Sequence, residues 1–232
     1  MNTDRTDTDI EQRLRQQIVQ IGQALYARGL IVAGDGNISV RLPDGTLLIT
    51  PANLCKGMLV PDDMVVIDHD GQVLRSPNGH RQSTEQLLHL QVYRVRPEVQ
   101  AVVHAHPPTA VAATLAGVDL DATLLPELLL TLGHVPTVPY ALTGTRALAE
   151  SITHVLSASD ALLLSYHGAL TVGNSLQRAF LRMEQVEHCA RILLAAHQFG
   201  GARPLSADQL APLHALHQQI RWQQAHERSE DL

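Results

Sequence analysis

Lysine is nearly absent from this sequence. Of 17 basic residues 16 are arginine, and the only lysine is Lys56. An enzyme that works through an imine needs an amine in a desolvated pocket. Lys56 lies in NLCKGML, between strand-like runs, and reads as a solvated loop residue whose exchange for arginine is expected to be harmless. Cysteine is scarce too. Cys55 and Cys189 are far apart and form no CxxC pair, which argues against a disulfide framework and for a reducing compartment. No apolar run approaches the ~18 residues of a membrane span, and the polar, acidic opening MNTDRTDTDI lacks the order of a signal peptide. The expectation is a soluble, cytoplasmic protein with no membrane partner. A net charge of −6 with scattered arginines leaves no footprint for a phosphodiester backbone, so nucleic acid is not an expected partner. Aromatics make up only 3%, and no long segment combines low hydrophobicity with high charge, which excludes disorder.

What is present suits one globular domain: 232 residues, 45% hydrophobic and 17% charged. The expected layout is a polar tail over 1–10 and a single domain over 11–232. Leu14, Ile18, Ile21 and Leu25 at helical spacing, with a glycine stop at Gly29, predict a helix over 11–29. NISVRL, PDGT and TLLIT predict a hairpin from Asn37 to Thr50, and MVVID and QVLR two more strands. STEQ at 83–86 has the pattern of a capping box opening a helix that Pro97 ends. QAVVHAH and ALLLSYH read as strands, Pro107-Pro108 as a helix start, 145–156 as a helix, and Asn174-Ser175 as the cap of the longest helix. A strand-rich middle flanked by helices reads as an α/β domain with antiparallel pairs in its sheet.

The chemistry concentrates in three places. His104-Ala105-His106 ends a predicted strand, where i and i+2 face the same side, so both imidazoles point together as the chain leaves the sheet. The bland alternative is a pair of polar residues finishing a strand. His167 leaves a second apolar run, followed by a glycine that permits close backbone approach. Three neutral imidazoles leave an open position on a divalent metal, the arrangement used for Lewis-acid catalysis. Glu85, in the expected first turn of its helix, is the acid/base candidate or else a capping residue; His89, one turn on, is placed to pair with it. GDGNIS at 34–39 precedes a strand, the wrong context for a dinucleotide loop, and His214 with His217 and Glu184 with His188 read as solvated or interface positions.

In order, G-x-G-N-I-S-V-R at 34–41, L-I-T-P-A-N at 48–53, S-T-E-Q-L-L-H at 83–89, V-V-H-A-H-P at 102–107, P-Y-A-x-x-G-T at 139–145 and Y-H-G-A at 166–169 resemble the class II aldolase and adducin head family, especially its fuculose-phosphate aldolase branch. The resemblance implies a three-layer α/β/α sandwich around a mainly antiparallel sheet, assembled as a homotetramer with active sites near subunit boundaries. It implies one divalent metal per chain, zinc first and manganese, cobalt or iron as alternatives, on His104, His106 and His167, with Glu85 moving the proton. It also implies that Gly36, Asn37, Ala52, Asn53, Ser83 and Thr84 cradle a substrate phosphate, although T-P-A-N departs from the family's T-P-S/T-G loop. No tyrosine follows Tyr166 to match the family's C-terminal one, and Glu127 is a further candidate near the site. The expected activity is metal-dependent retro-aldol cleavage of a small ketose phosphate or sugar acid through an enediolate. The alternatives are a sugar-phosphate 4-epimerase, in which aspartate usually replaces the glutamate, a β-keto acid decarboxylase, and a non-enzymatic adducin-like module.

Overall fold

A computed structural model describes residues 3–120 and 123–226. Residues 1–2 of the expected tail and 227–232 of the expected domain lie outside the described residues. The chain runs α1 (Thr3–Ala27), β1 (Asn37–Arg41), β2 (Leu47–Ile49), β3 (Val65–Ile67), β4 (Val73–Arg75), α2 (Gln86–Val95), β5 (Ala101–Ala105) and α3 (Pro108–Ala116). It continues with α4 (Pro126–Thr131), β6 (Thr137–Val138), α5 (Arg146–Ser151), α6 (Thr153–Leu156), β7 (Ala161–Leu164), β8 (Gly168–Gly173), α7 (Leu176–Gln198) and α8 (Ala207–His226).

The eight strands form one sheet in the order β4-β3-β2-β1-β5-β8-β7-β6. Of the strand pairs among the described residues only β6 with β7 is parallel. Side chains alternate across the sheet, and both faces are covered. Val40, Leu48, Val66, Val103 and Leu163 pack with Ile18, Ile21 and Leu25 of α1 and with Phe180, Met183 and Val186 of α7. Leu47, Val65, Val102, Leu162 and Leu170 pack on the opposite face with Leu88, Val92 and Tyr93 of α2, Leu148 of α5 and Leu156 of α6. This is the expected α/β/α sandwich, with aliphatic side chains filling both layers.

Four local expectations are revised. α1 begins at Thr3 rather than within 11–29, and Glu11, which accepts from both Arg15 and Arg75, ties its first half to the sheet edge. The expected helix over 145–156 is two helices meeting at Ile152, where Ser151 Oγ bonds back to Leu148 O and the fully buried Ile152 turns inward. Strand β8 (Gly168–Gly173) is an additional strand: glycines at both ends and only Thr171-Val172 as β-branched residues give it a weak strand signal. The capping box at 83–86 does not form. Ser83 Oγ accepts from the backbone N–H of Glu85, and α2 starts at Gln86 with Glu85 at its cap position and no side-chain cap.

Candidate active site

The sheet register brings the chemistry together. Asn37 of β1 lies opposite His104 of β5, which in turn lies opposite Leu170 of β8. His104 is therefore in the middle of the sheet, on the face that α2 covers, and is completely buried. His106 sits just beyond the end of β5. His167 occupies the tight turn between β7 and β8, its backbone N–H donating to Leu164 O, with Tyr166 beside it at a φ of 61°. Gly168 makes this convergence possible. A Cβ there would lie 2.4 Å from Ala105 O, 2.8 Å from His106 Cδ2 and 3.0 Å from His104 Cε1, so a side chain would displace both rings.

The three imidazoles face one another. His104 Nε2 is 3.2 Å from His106 Nε2 and 3.3 Å from His167 Nε2, and ring centroids in the three pairs are 4.7–5.0 Å apart. Glu85 joins them, with Oε2 3.2 Å from His104 Nε2 and Oε1 3.2 Å from His167 Nε2. His104 Nδ1 lies 2.9 Å from Ala169 O. The carbonyl accepts, so the ring proton sits on Nδ1 and the Nε2 lone pair faces the cluster.

These residues fit a divalent metal. Ligands about 2.0–2.1 Å from a tetrahedral zinc lie about 3.3–3.4 Å from one another, the spacing found here. Among the described residues Glu85 Oε1 is buried with no hydrogen-bond partner beyond its approach to His167 Nε2, and ligand atoms of Glu85 and the three histidines all fall within 4.8 Å of one another. The electrostatics point the same way. Burial disfavours charge on His104, but the Glu85 carboxylate outweighs it and raises the pKa. Burial, together with the neighbouring His104, pushes His106 and His167 down to about 4. Burial would raise Glu85, yet the imidazoles of His104 and His167 hold it well below the usual carboxylate range. Glu85 thus favours a single positive charge in the cluster, on His104, and the two flanking imidazoles stay neutral.

A cavity of about 360 Å³ opens beside the cluster, and all of Gly36, Asn37, Ala52, Asn53, Ser83, Thr84, Glu85, His106 and His167 line it. The glycine-rich loop judged wrong for a dinucleotide is thus a wall of this site. Gly36 has φ +70°, and a Cβ on it would lie 2.7 Å from Ile31 and 2.9 Å from His104 O. Asn53, where the resemblance leads one to expect glycine, takes φ 61°, a conformation asparagine tolerates better than most residues. The T-P-A-N loop thus adopts a left-handed turn at Asn53, a conformation that glycine favours. Glu127 is exposed on α4 and is not among the lining residues.

Two expectations fail here. Lys56 is not a solvated loop residue: it is 2% exposed, lines the same cavity, and its Nζ donates to Gly34 O at 2.6 Å. The segment NLCKGML folds into a short 3-10 turn packed against α1, which carries the side chain inward. Burial pushes the ammonium down to about 8. Nor does His89 pair directly with Glu85. It faces Ser39 and Asn37, and Asn37 Nδ2 donates to Glu85 Oε2 at 2.9 Å. The available signal is the alternation itself: polar Asn37 and Ser39 on the α2 face, apolar Ile38 and Val40 on the other.

Within an α/β/α sandwich, three histidines at or just past strand ends and a carboxylate at the start of α2 form a cluster that could hold a metal ion. The chain belongs to the family described as Class II Aldolase and Adducin N-terminal domain, whose model matches residues 16–194. It is 35% identical over 211 residues to 3-oxo-tetronate 4-phosphate decarboxylase of Escherichia coli (strain K12), covering 88% of this chain and 96% of that one. It is 31% identical over 205 residues to 5-deoxy-D-ribulose 1-phosphate aldolase of Bacillus thuringiensis serovar kurstaki, covering 87% and 94%. The crystal structure of YgbL from Escherichia coli superposes with a TM-score of 0.82 at 33% identity, over 88% of this chain and 99% of that one. Relatives of this kind are lyases. No helix among the described residues is long and apolar enough to cross a membrane.

Proposed function

We propose that this protein is a metal-dependent carbon–carbon lyase that decarboxylates a phosphorylated 3-oxo sugar acid of the 3-oxo-tetronate 4-phosphate type. Aldol cleavage of a ketose 1-phosphate, the activity expected first from the sequence, is the second reading. The observation that carries the order is Lys56, a buried cation in the same cavity as Glu85 and the histidine cluster. A substrate with both a carboxylate and a phosphate calls for more positive charge than the loops and a helix start supply. The relatives named as decarboxylases support the same order.

His104, His106 and His167 would hold the metal, zinc by its donor set with manganese, cobalt or iron as alternatives, and it would supply Lewis-acid polarisation of the substrate's carbonyl oxygen. The chain's own residues do the rest. Glu85, ionised at neutral pH, passes a proton from solvent to the carbon that has lost carbon dioxide. Lys56 neutralises one anionic end of the substrate. The backbone of Gly36 and Asn53 and the hydroxyls of Ser83 and Thr84 orient the phosphate; Ala52 contributes only its backbone. Retention of all three histidines argues against an adducin-like module, and a glutamate rather than an aspartate at position 85 against the epimerase. A cytoplasmic homotetramer, as the resemblance implies, completes the reading; exposed Leu115, Leu194 and Phe199 near α3 and α7 offer apolar surface for a subunit contact.

The test is a product-resolved screen. Metal-loaded protein is given 3-oxo-tetronate 4-phosphate, 5-deoxyribulose 1-phosphate and fuculose 1-phosphate, and carbon dioxide, aldehyde and epimer are measured separately. Carbon dioxide from the first substrate is the expected result. Aldehyde from a ketose phosphate with no carbon dioxide from any substrate would replace the decarboxylase by the aldolase.

A further inference from the structure

Behind Glu85 lies a buried chain of hydrogen bonds whose direction can be read. A carboxylate can only accept, so Asn37 must present its NH₂ to Glu85 Oε2, 2.9 Å away. Its Oδ1 then faces His89 Nε2, which must donate. In a neutral imidazole Nδ1 is then an acceptor, and Ser39 Oγ, 2.6 Å away, supplies the proton. The Ser39 oxygen in turn accepts from Tyr93 O–H at 2.8 Å. His89 and Ser39 are fully buried, and Asn37 and Tyr93 nearly so. Among the described residues no carboxylate is bonded to His89, and its full burial on the inner face of α2 disfavours a second proton.

We propose that His89 is a positioning residue: with its proton on Nε2 it locks the amide of Asn37 so that the NH₂ faces Glu85, and Ser39 with Tyr93 sets the His89 tautomer. This rests on the reading that Glu85 moves a proton. The chain fixes one carboxylate oxygen and leaves Oε1 for the reaction. It also redefines Asn37. With Oδ1 committed to His89 and one proton to Glu85, a single Nδ2 proton remains for substrate, so holding Glu85 is the main task of that side chain. The register explains why β1 carries two polar residues inside a sandwich. Asn37 and Ser39 are i and i+2 on the α2 face, spaced to meet the two nitrogens of one imidazole.

The direct test is ¹⁵N NMR on the whole zinc-loaded protein with labelled histidine, the His89 signals being assigned by their loss in His89→Gln. A neutral ring protonated on Nε2, with a slowly exchanging proton, is expected. A proton on Nδ1 alone overturns the proposal, because Asn37 would then turn its oxygen toward Glu85; protons on both nitrogens overturn it too, because Nδ1 could no longer accept from Ser39 and the serine would not set the tautomer. In kinetics, His89→Phe should lower kcat by ~10²-fold, the scale of a catalytic group misplaced by about 1 Å. KM and zinc content should stay within about twofold, and His89→Gln, which keeps a donor at that site, should recover most of the rate. Equal losses in both variants would mark His89 as core packing and overturn the proposal. If none of the screened substrates is cleaved, the functional reading fails, while the tautomer measurement still decides the chain's direction.

Discussion

Replacing Lys56 by methionine separates charge from packing at one buried position. The ammonium has an ordinary value of 10.5 that burial brings down to about 8. Between those values the unfolded chain holds a proton that the folded protein has given up, so stability rises with pH across this window. At 1.36 kcal/mol per pH unit the difference amounts to about 3 kcal/mol, the cost of keeping the charge buried at pH 7. Methionine removes that cost but also removes the bond to Gly34 O, where an unsatisfied carbonyl costs about 1–3 kcal/mol. The two nearly cancel, and Lys56→Met is expected within about 2 kcal/mol of the native stability at pH 7. Binding should not cancel: loss of a charged contact of about 1.5–3 kcal/mol raises KM for an anionic substrate by ~10–100-fold. Urea unfolding at pH 7, 8, 9 and 10, with steady-state kinetics at pH 7, reads both. The native protein should gain stability over this range and Lys56→Met should gain about 3 kcal/mol less. Parallel stability curves together with an unchanged KM would refute the buried, substrate-facing lysine. Arginine is also expected to fail here, since a bulkier, planar guanidinium has no room at a site 2% exposed.

His104→Ala, His106→Ala and His167→Ala should each lose most bound metal, measured by elemental analysis after gel filtration, together with turnover. Glu85→Gln should keep the metal and fold but lose ~10²–10⁴ in kcat, because the amide preserves shape and removes the proton carrier; near-native kcat would leave the glutamate a structural role. Gly168→Ala should weaken metal binding more than it changes secondary structure, since the new methyl meets Ala105 O and two histidine rings; a metal titration followed by circular dichroism checks it.

The site was legible where chemistry and local pattern coincide. An HxH at the end of an apolar run needs only strand periodicity to aim both rings the same way, and a second apolar run ending in His-Gly supplies the third. Both sheet faces are buried, so the strands stand out as aliphatic runs and the sandwich follows. What stayed hidden depends on contacts distant in sequence. Lys56 looks solvated in its own segment, and only the packing of its turn against α1 carries it inward. His89 sits one turn from Glu85 on a helix drawn from sequence, yet its partners come from β1, some 50 residues away. Glu85 was expected inside a capped first turn. It stands instead at the helix boundary, accepting from Asn37 and close to His104 and His167, with its backbone N–H donating to Ser83 Oγ.

The most direct measurement is carbon dioxide release from 3-oxo-tetronate 4-phosphate as a function of bound metal. Protein stripped by a chelator should release none above the uncatalysed rate. Zinc added back should restore release linearly and saturate at about one equivalent per chain, as expected of a single three-histidine centre. Full activity in metal-free protein, or saturating zinc with no carbon dioxide released, would contradict the decarboxylating metal centre.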